Sequence, residues 1–287
     1  MFTMMNNARI NVGSQGVQIA ERATQQAVAY ALERVQSARA GAEDRTPVAI
    51  MDHPDVRRML LRMRSLTEAM RGLLYYTAGQ VDRGDVGDAN ARARAEVLVP
   101  MLKAWATDTG IEVASLGIQV HGGMGFVEET GAAQHWRDSR IAPIYEGTNG
   151  IQAADLVTRK LGLEDGEALQ KLFADIARDA SDEAQLKALA GECAAIAKWM
   201  REDASLDDRL AGSVPFTTMC AVAVAGWTLV QQHRAMEDSK DANRKHAKRV
   251  TMRFFLDHIV PEAMGLKASA TAGASLLYEI DGSVLAA

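Results

Sequence analysis

The chain has 287 residues, 48% hydrophobic and 24% charged, so it can bury a substantial core in one or two domains. Its formal charge of −5 argues against binding to nucleic acid or to an anionic membrane surface. Aromatic residues make up only 5% of the chain, while alanine and methionine are abundant, which favours packed helices over sheets.

Targeting signals and cysteines point to the same compartment. No basic region or long apolar run opens the chain, so no signal peptide is predicted, and the apolar segment 219–230 is too short to span a bilayer. The two cysteines, Cys193 and Cys220, are expected to be buried thiols in a reducing compartment and not a disulfide. We therefore expect a cytoplasmic, mostly helical protein with no metal site.

The first half of the chain shows helical periodicity with recognisable breaks. Pro54 is well placed to open a helix at its first position, Pro100 should kink the third helix, and the glycines at 122 and 123 should end it. The predicted helices cover residues 11–36, 54–83, 91–120, 134–140 and 150–161, with loops at 41–53 and 82–88.

Residues 162–166 read as a linker, after which helical patterns continue at 167–180, 182–204, 214–237, 240–258 and 260–280. A basic run at 244–249 is expected to be a solvated helix face. The sequence thus predicts an all-α fold with an up-and-down helical bundle in residues 1–162 and a second helical bundle in residues 163–287.

A carboxylate in a short loop is the most informative local feature. Glu146 follows a non-helical break and lies just ahead of a helix, whose positive end favours an anion. Asn149 is the predicted N-cap of that helix, paired with Gln152 three residues later. For an isolated glutamate, an exposed loop carboxylate or an ion pair with Arg140 would be the ordinary interpretation.

Four motifs in order resemble the C-terminal helical domain of the acyl-CoA dehydrogenases. They are MNNAR at 5–9, YALERVQ at 30–36, QVHGGMGF at 119–126 and YEGT at 145–148. The glycines of the third motif follow a predicted helix and not a strand, so a Rossmann loop is excluded by its context. The helical tail after residue 162 resembles the branch of this family that includes the 3-methylmercaptopropionyl-CoA dehydrogenases.

The resemblance implies a reaction. Glu146 would be the base that removes the α-proton of an acyl-CoA thioester, and FAD would take the hydride from the β-carbon, since no side chain accepts a hydride. Electron-transfer flavoprotein would be the acceptor of the electrons. A loop carboxylate can serve as the base if burial raises its pKa or if hydrogen bonds acidify the thioester proton.

Further site residues are implied by their positions in the motifs. Arg34 would reach the FAD pyrophosphate across a subunit boundary, where a guanidinium fork suits phosphate oxygens. Gln119 and Gly123 would contact the adenosine part of FAD bound mainly by the neighbouring subunit, and Thr148 would contact the flavin. The same residues have structural alternatives, a helix C-cap for the glycine motif and helix capping for Thr148. We therefore expect a homodimer or tetramer.

The residues expected to contact the substrate match the family pattern less closely than the FAD-contact residues do. Arg9 would lie near the acyl-CoA, and Gly147 would allow close backbone approach to a flat partner. Asn6 takes a position that is often acidic in the family, and Gln36 departs from the usual pattern. The family also has an N-terminal helical domain and a β-domain before this region, so a second hypothesis remains: a catalytically incomplete helical oligomerisation or scaffold module.

Overall fold

The structure is a computed structural model that describes residues 2–286. The described residues form helices and turns without a β-strand, and one isolated bridge joins Val35 to Ala49, so the predicted all-α class is confirmed. The first-half helices are α1 Phe2–Glu33, α2 Pro54–Asp85, α3 Ala89–His121, α4 Gly123–Phe126, α5 Ala132–Ser139 and α6 Asn149–Thr158. The second-half helices are α7 Glu167–Asp179, α8 Ala184–Glu202, α9 Leu206–Ala211, α10 Ser213–Arg234, α11 Ala242–Phe254, α12 Val260–Gly265 and α13 Lys267–Ala270. A π-helical turn covers Phe255–Ile259, and 3-10 turns cover Ile50–Asp52, Glu128–Thr130, Lys160–Gly166, Ser275–Tyr278 and Val284–Ala286.

The first three long helices form an up-and-down bundle. Helix α1 runs parallel to α3, because Gly13 lies beside Leu102 in the first half of both helices and Tyr30 stacks on His121 near their ends. Helix α2 runs antiparallel to both of them, and Arg71 from α2 pairs with Glu21 of α1 at 2.6 Å. The short connection between Asp85 and Ala89 favours the antiparallel packing of α2 against α3.

Helices α1 and α3 approach each other closely at two glycines. A Cβ on Gly16 would lie 2.3 Å from the carbonyl oxygen of Ala106, and a Cβ on Gly110 would lie 2.9 Å from the carbonyl oxygen of Gly16. Only a residue without a side chain allows this backbone-to-backbone contact. The two glycines thereby fix the spacing of the helices that support the candidate site.

The second half packs on the first through α10. This helix contacts α2, α3, α6 and α8, and Gly72 of α2 makes room for the Thr228 side chain of α10. Among the described residues, a single helix, α10, is both long enough and apolar enough to cross a membrane. However, 83% of its apolar stretch is buried inside the protein, as in a core helix. The buried apolar side chains of both halves form one continuous cluster because α10 lies between them.

Several boundary predictions are corrected by the structure. Helix α1 begins at Phe2 instead of residue 11 and ends at Glu33 instead of residue 36. Helix α3 contains Pro100, in agreement with the single helix predicted there. The predicted linker at 162–166 belongs to the 3-10 turn Lys160–Gly166, in which Glu164 and Asp165 adopt positive φ angles.

The helix predicted over residues 260–280 is wrong. It breaks at Leu266 and ends at Ala270, and Gly273 then takes a φ of +78°. The Ala274 amide donates to the Asp208 carboxylate at 2.9 Å, so a long-range contact replaces further helical hydrogen bonds. Asp208 lies in α9, a short helix that was not predicted even though Ser205 and Asp208 form a capping box at its start.

Two expectations about side chains are confirmed. Cys193 and Cys220 are free and buried. The pKa of the Cys220 thiol is raised well above its ordinary value, mainly by burial and in addition by the neighbouring Cys193 thiol. The basic run lies on α11, where Arg244, His246 and Arg249 are exposed. One member is an exception, because Lys248 pairs with Glu68 of α2 and donates to Gln232 at 2.9 Å.

Candidate active site

Glu146 lies near the tip of a loop that joins α5 to α6. The loop is closed at its base by the Asn149 amide, which donates to the Pro143 carbonyl at 3.0 Å. Glu146 has a φ of +56° and the following Gly147 has a φ of +85°, so two successive residues are in the left-handed region. A glutamate pays steric strain for this conformation, and such strained residues cluster at functional sites. The Glu146 side chain is exposed.

The loop is anchored from α3 through the side chain of Asn149. The amide nitrogen of Asn149 donates to the Ala104 carbonyl at 3.0 Å and to the Thr107 hydroxyl at 2.9 Å. Its amide oxygen accepts from the Lys103 ammonium at 2.9 Å. Since both ends of the amide have partners of the correct polarity, the side chain is held in one orientation.

Two further contacts hold the loop from other sides. The amide nitrogen of Gln152, a fully buried residue of α6, donates to the carbonyls of Glu146 at 3.4 Å and Gly147 at 3.2 Å. A Cβ on Gly147 would lie 2.8 Å from that same nitrogen, so glycine is needed there for space as well as for its φ. On the other side, the Tyr145 hydroxyl donates to the Gln15 side chain of α1.

The predicted cap of α6 is shifted by one residue. Thr148, and not Asn149, is the N-cap, and its hydroxyl accepts from the Ile151 amide at 3.3 Å. Asn149 is the first helical residue, and its side chain is committed to α3. The capping alternative for Thr148 is therefore realised in the structure, while its exposed hydroxyl remains next to Glu146 in the chain.

The charges around this loop are unusually placed. Lys103 is fully buried, and burial lowers the pKa of its ammonium to about 8, with Asp108 and Glu146 acting in the opposite direction and Arg9 in the same direction. Burial also raises the pKa of Asp108, although a hydrogen bond from Asn149 and the charges of Lys103 and Arg140 oppose the rise. Glu146 is thus electrostatically linked to a buried lysine.

Arg9 of α1 is one of the charged residues that act on Lys103. It is buried and pairs with Asp155 of α6 at 3.2 Å, and Asp155 also pairs with Arg159 at 2.5 Å. The Nε atom of Arg9 is buried and has no hydrogen-bond partner among residues 2–286. Its predicted contact with acyl-CoA is not a surface contact in this chain, and its observed role is to join α1 to α6.

Three of the residues predicted to contact FAD lie around the ends of α1 and α3, away from the Glu146 loop, whereas Thr148 lies in that loop. Arg34 follows the end of α1 and is exposed, and within the described part of the chain it makes one side-chain hydrogen bond, to Gln36 at 3.0 Å. Gln119 and Gly123 are exposed around the end of α3, where Gly122 is the C-cap with a φ of +60°. A Cβ on Gly122 or Gly123 would meet no atom within 4 Å, so this turn leaves space for a flat group to approach.

The stacking of Tyr30 on His121 brings these two chain segments together. The ring centroids are 4.4 Å apart, and the buried His121 Nδ1 hydrogen-bonds with the Gly117 carbonyl at 2.7 Å. Along α3, residue 119 lies roughly 24 Å from residue 103, at 1.5 Å per residue. The structure therefore places Arg34, Gln119 and Gly123 in one group and the Glu146 loop with Arg9 in another.

Sequence reasoning missed the residues that hold the loop. Lys103 was detectable, because it is the one charged residue within the strongly apolar segment 97–106. Asn149 and Gln152 were predicted only as a capping pair, and the contact of Asn149 with Lys103 had no local signal, since its partner lies on α3.

Comparison with known proteins gives a consistent result for both halves. Residues 1–161 match the family described as acyl-CoA dehydrogenase, C-terminal domain, and residues 168–281 match the family described as acetyl-CoA dehydrogenase C-terminal like. A 3-methylmercaptopropionyl-CoA dehydrogenase of Ruegeria pomeroyi is 44% identical over 286 residues, which cover 91% of this chain and 48% of that protein. A butyryl-CoA dehydrogenase of Syntrophomonas wolfei is 38% identical over 181 residues, covering 61% of this chain and 30% of that protein.

A solved structure has the same fold. An acyl-CoA dehydrogenase of Bacillus anthracis complexed with FAD superposes with a TM-score of 0.71 at 20% identity, covering 99% of this chain and 51% of that chain. The chain thus spans about half the length, or less, of the relatives it matches. On the match of residues 1–161, together with the four motifs and the fold, the chain belongs to the acyl-CoA dehydrogenase family and carries its C-terminal helical domain.

Proposed function

We propose that this chain supplies the base-carrying part of a flavin-dependent acyl-CoA dehydrogenase. Glu146 removes the α-proton of the acyl-CoA thioester while a hydride leaves the β-carbon, so that the C–H electron pair at the α-carbon forms the new double bond. FAD supplies the two-electron hydride acceptor, which no side chain can provide. The observation that carries the proposal is the fixed, strained conformation of Glu146, held by contacts from α1, α3 and α6.

The chain's own residues fit this chemistry. A general base must be held within hydrogen-bonding reach of one proton, and three anchors restrict the Glu146 loop to one position. Exposed isoleucines at 141, 144 and 151 surround Glu146 in the chain. An exposed apolar surface of this kind is typical of a ligand-binding or subunit-contact site, and it suits an acyl chain or a flavin ring.

The second group of residues fits a phosphate-bearing cofactor. Arg34 presents an exposed guanidinium, and the turn at Gly122 and Gly123, which the Tyr30–His121 stack brings to the same end of the bundle, leaves open space. Its separation from Glu146 supports the idea that the two groups serve two different flavins across a subunit boundary. We therefore propose a homodimer or tetramer, with electron-transfer flavoprotein as the electron acceptor; a strictly monomeric mass at micromolar concentration in light scattering would contradict the assembly.

The test is the substitution Glu146→Gln in the flavin-loaded assembly that contains this chain. Glutamine keeps the size of the side chain but cannot accept the α-proton. Flavin bleaching by an acyl-CoA in anaerobic stopped-flow should slow by about 10²–10⁴-fold, the usual contribution of a general base. FAD content and acyl-CoA affinity should be unchanged. The matched control is Glu129→Gln, which alters another exposed glutamate of a short turn.

The alternative, a non-catalytic helical scaffold, gives a different outcome. It predicts no stoichiometric flavin absorbance in the purified assembly and no bleaching by any acyl-CoA. If Glu146→Gln bleached within a few-fold of the parent rate, the base would be another carboxylate.

A further inference from the structure

Lys103 is an unusual residue for the middle of a buried helix. It is one of the largest fully buried side chains of the described residues, and α3 surrounds it with apolar neighbours in sequence. Burying a charged ammonium is costly unless it has a hydrogen-bond partner or a counter-charge. Its hydrogen-bond acceptor here is the Asn149 amide oxygen at 2.9 Å.

Asn149 transmits this contact to the loop of Glu146. Its side chain is fixed by Lys103, Ala104 and Thr107 of α3, and its backbone amide closes the loop on the Pro143 carbonyl at 3.0 Å. A movement of the Lys103 ammonium would therefore displace Asn149 and, with it, the loop that carries Glu146.

The charges that face Lys103 come from each neighbouring element. They are Arg9 on α1, Asp108 on α3 itself and Glu146 on the loop, while Asp155 of α6 is paired with Arg9. Burial lowers the pKa of Lys103 to about 8, and Glu146 is one of two carboxylates that favour its charged form.

We propose that Lys103 is a positioning residue for Glu146, which it holds in place through the Asn149 side chain and the loop that the Asn149 backbone amide closes. The inference rests on the proposed function of Glu146 as the base. It differs from a purely structural role, in which Lys103 would only fill space and satisfy Asn149.

The test that does not depend on activity is a titration of Lys103 in the 287-residue chain. Lysine labelled with ¹³C at Cε is followed by NMR from pH 6 to 11, and the Lys103 signal is assigned by its absence in Lys103→Arg. Lys103 should titrate near pH 8. In Glu146→Gln its pKa should fall by at least about 0.3 unit, a twofold rise in its acid dissociation constant. Glu129→Gln is the control that should leave it unchanged.

The second test uses the flavin-loaded assembly. Lys103→Met keeps most of the length of the side chain but removes the charge and the hydrogen bond to Asn149. The kcat for flavin reduction should therefore fall about tenfold or more, with KM changed less, because the base and not the binding surface is disturbed. Lys103→Arg should restore part of the rate. Lys198→Met, which removes an exposed lysine of α8, should have no effect.

The two proposals fail in different ways. An ordinary titration of Lys103 above pH 10, or no response of Lys103 to Glu146→Gln, would overturn the positioning role while leaving Glu146 as the base. Retained flavin reduction in Glu146→Gln would overturn the proposed function regardless of the titration. If Lys103→Met fails to fold, the effect of Glu146→Gln on the native lysine still decides the question.

Discussion

Replacing Gly16 by alanine should destabilise the protein, although alanine is the better helix former. A Cβ at this position would lie 2.3 Å from the Ala106 carbonyl oxygen, 2.8 Å from its carbonyl carbon and 3.1 Å from the Thr107 Cα. All three atoms belong to the backbone of α3, so no rotamer change can relieve the clash. Reaching an ordinary contact distance requires α1 and α3 to separate locally by about 1 Å.

The size of the effect follows from two opposing terms. Overpacking in a well-packed interior costs about 1–3 kcal/mol, and the higher helix propensity of alanine recovers up to about 1 kcal/mol. The free energy of unfolding should therefore fall by roughly 1–2 kcal/mol. For a chain of this size, each kcal/mol lowers Tm by about 2–4 °C.

The assay is urea unfolding followed by circular dichroism, with Gly79→Ala as the matched control. Gly79 lies within helix α2, and a Cβ there would meet no atom within 4 Å. The control should be stabilised by about 0.5–1 kcal/mol, because the gain in helix propensity is unopposed. If Gly16→Ala were as stable as the parent or more stable, the backbone contact between α1 and α3 would not limit their spacing.

Three further predictions follow. The unfolding free energy should rise between pH 8 and 10.5, because Lys103 has a pKa lowered from 10.5 to about 8 in the folded chain and loses its proton there before it does in the unfolded chain. The contribution is at most about 1.4 kcal/mol per pH unit. Urea unfolding at about pH 7.5 and about pH 9.5 measures it, and the rise should disappear in Lys103→Met. Arg34→Ala should weaken FAD binding by about 1.5–3 kcal/mol, the cost of a charge-assisted phosphate contact, whereas Gln36→Ala should change it little; equal affinities by fluorescence titration would argue against the phosphate contact. Thr148→Ala should lower stability by about 1 kcal/mol through loss of the N-cap, and Thr148→Asn should retain most of the parent's Tm in calorimetry.

Local sequence patterns determined the helical architecture. Apolar residues at helical spacing, together with Pro54 at a helix start and Gly122 at a helix end, predicted α2, α3, α8 and α10 to within a few residues at each end. These signals work because helix formation and termination depend on neighbours within a few positions. The motif around Glu146 also located the loop and its glycine without any structural information.

Tertiary contacts decided the details that matter for the site. Thr148 and Asn149 are both good N-cap residues, and the cap falls on Thr148 because α3 engages the Asn149 side chain. Likewise, the helix expected over residues 260–280 ends early because Asp208 captures the Ala274 amide. Lys103 and Asn149 lie 46 positions apart, and Gln15 and Tyr145 lie 130 apart, so neither contact leaves a pattern in a short window of sequence. The sequence by itself determined which residue types stand in the loop, and only the packing of α1, α3 and α6 determined how that loop is held, because hydrogen bonds between distant segments form only once those helices have come together.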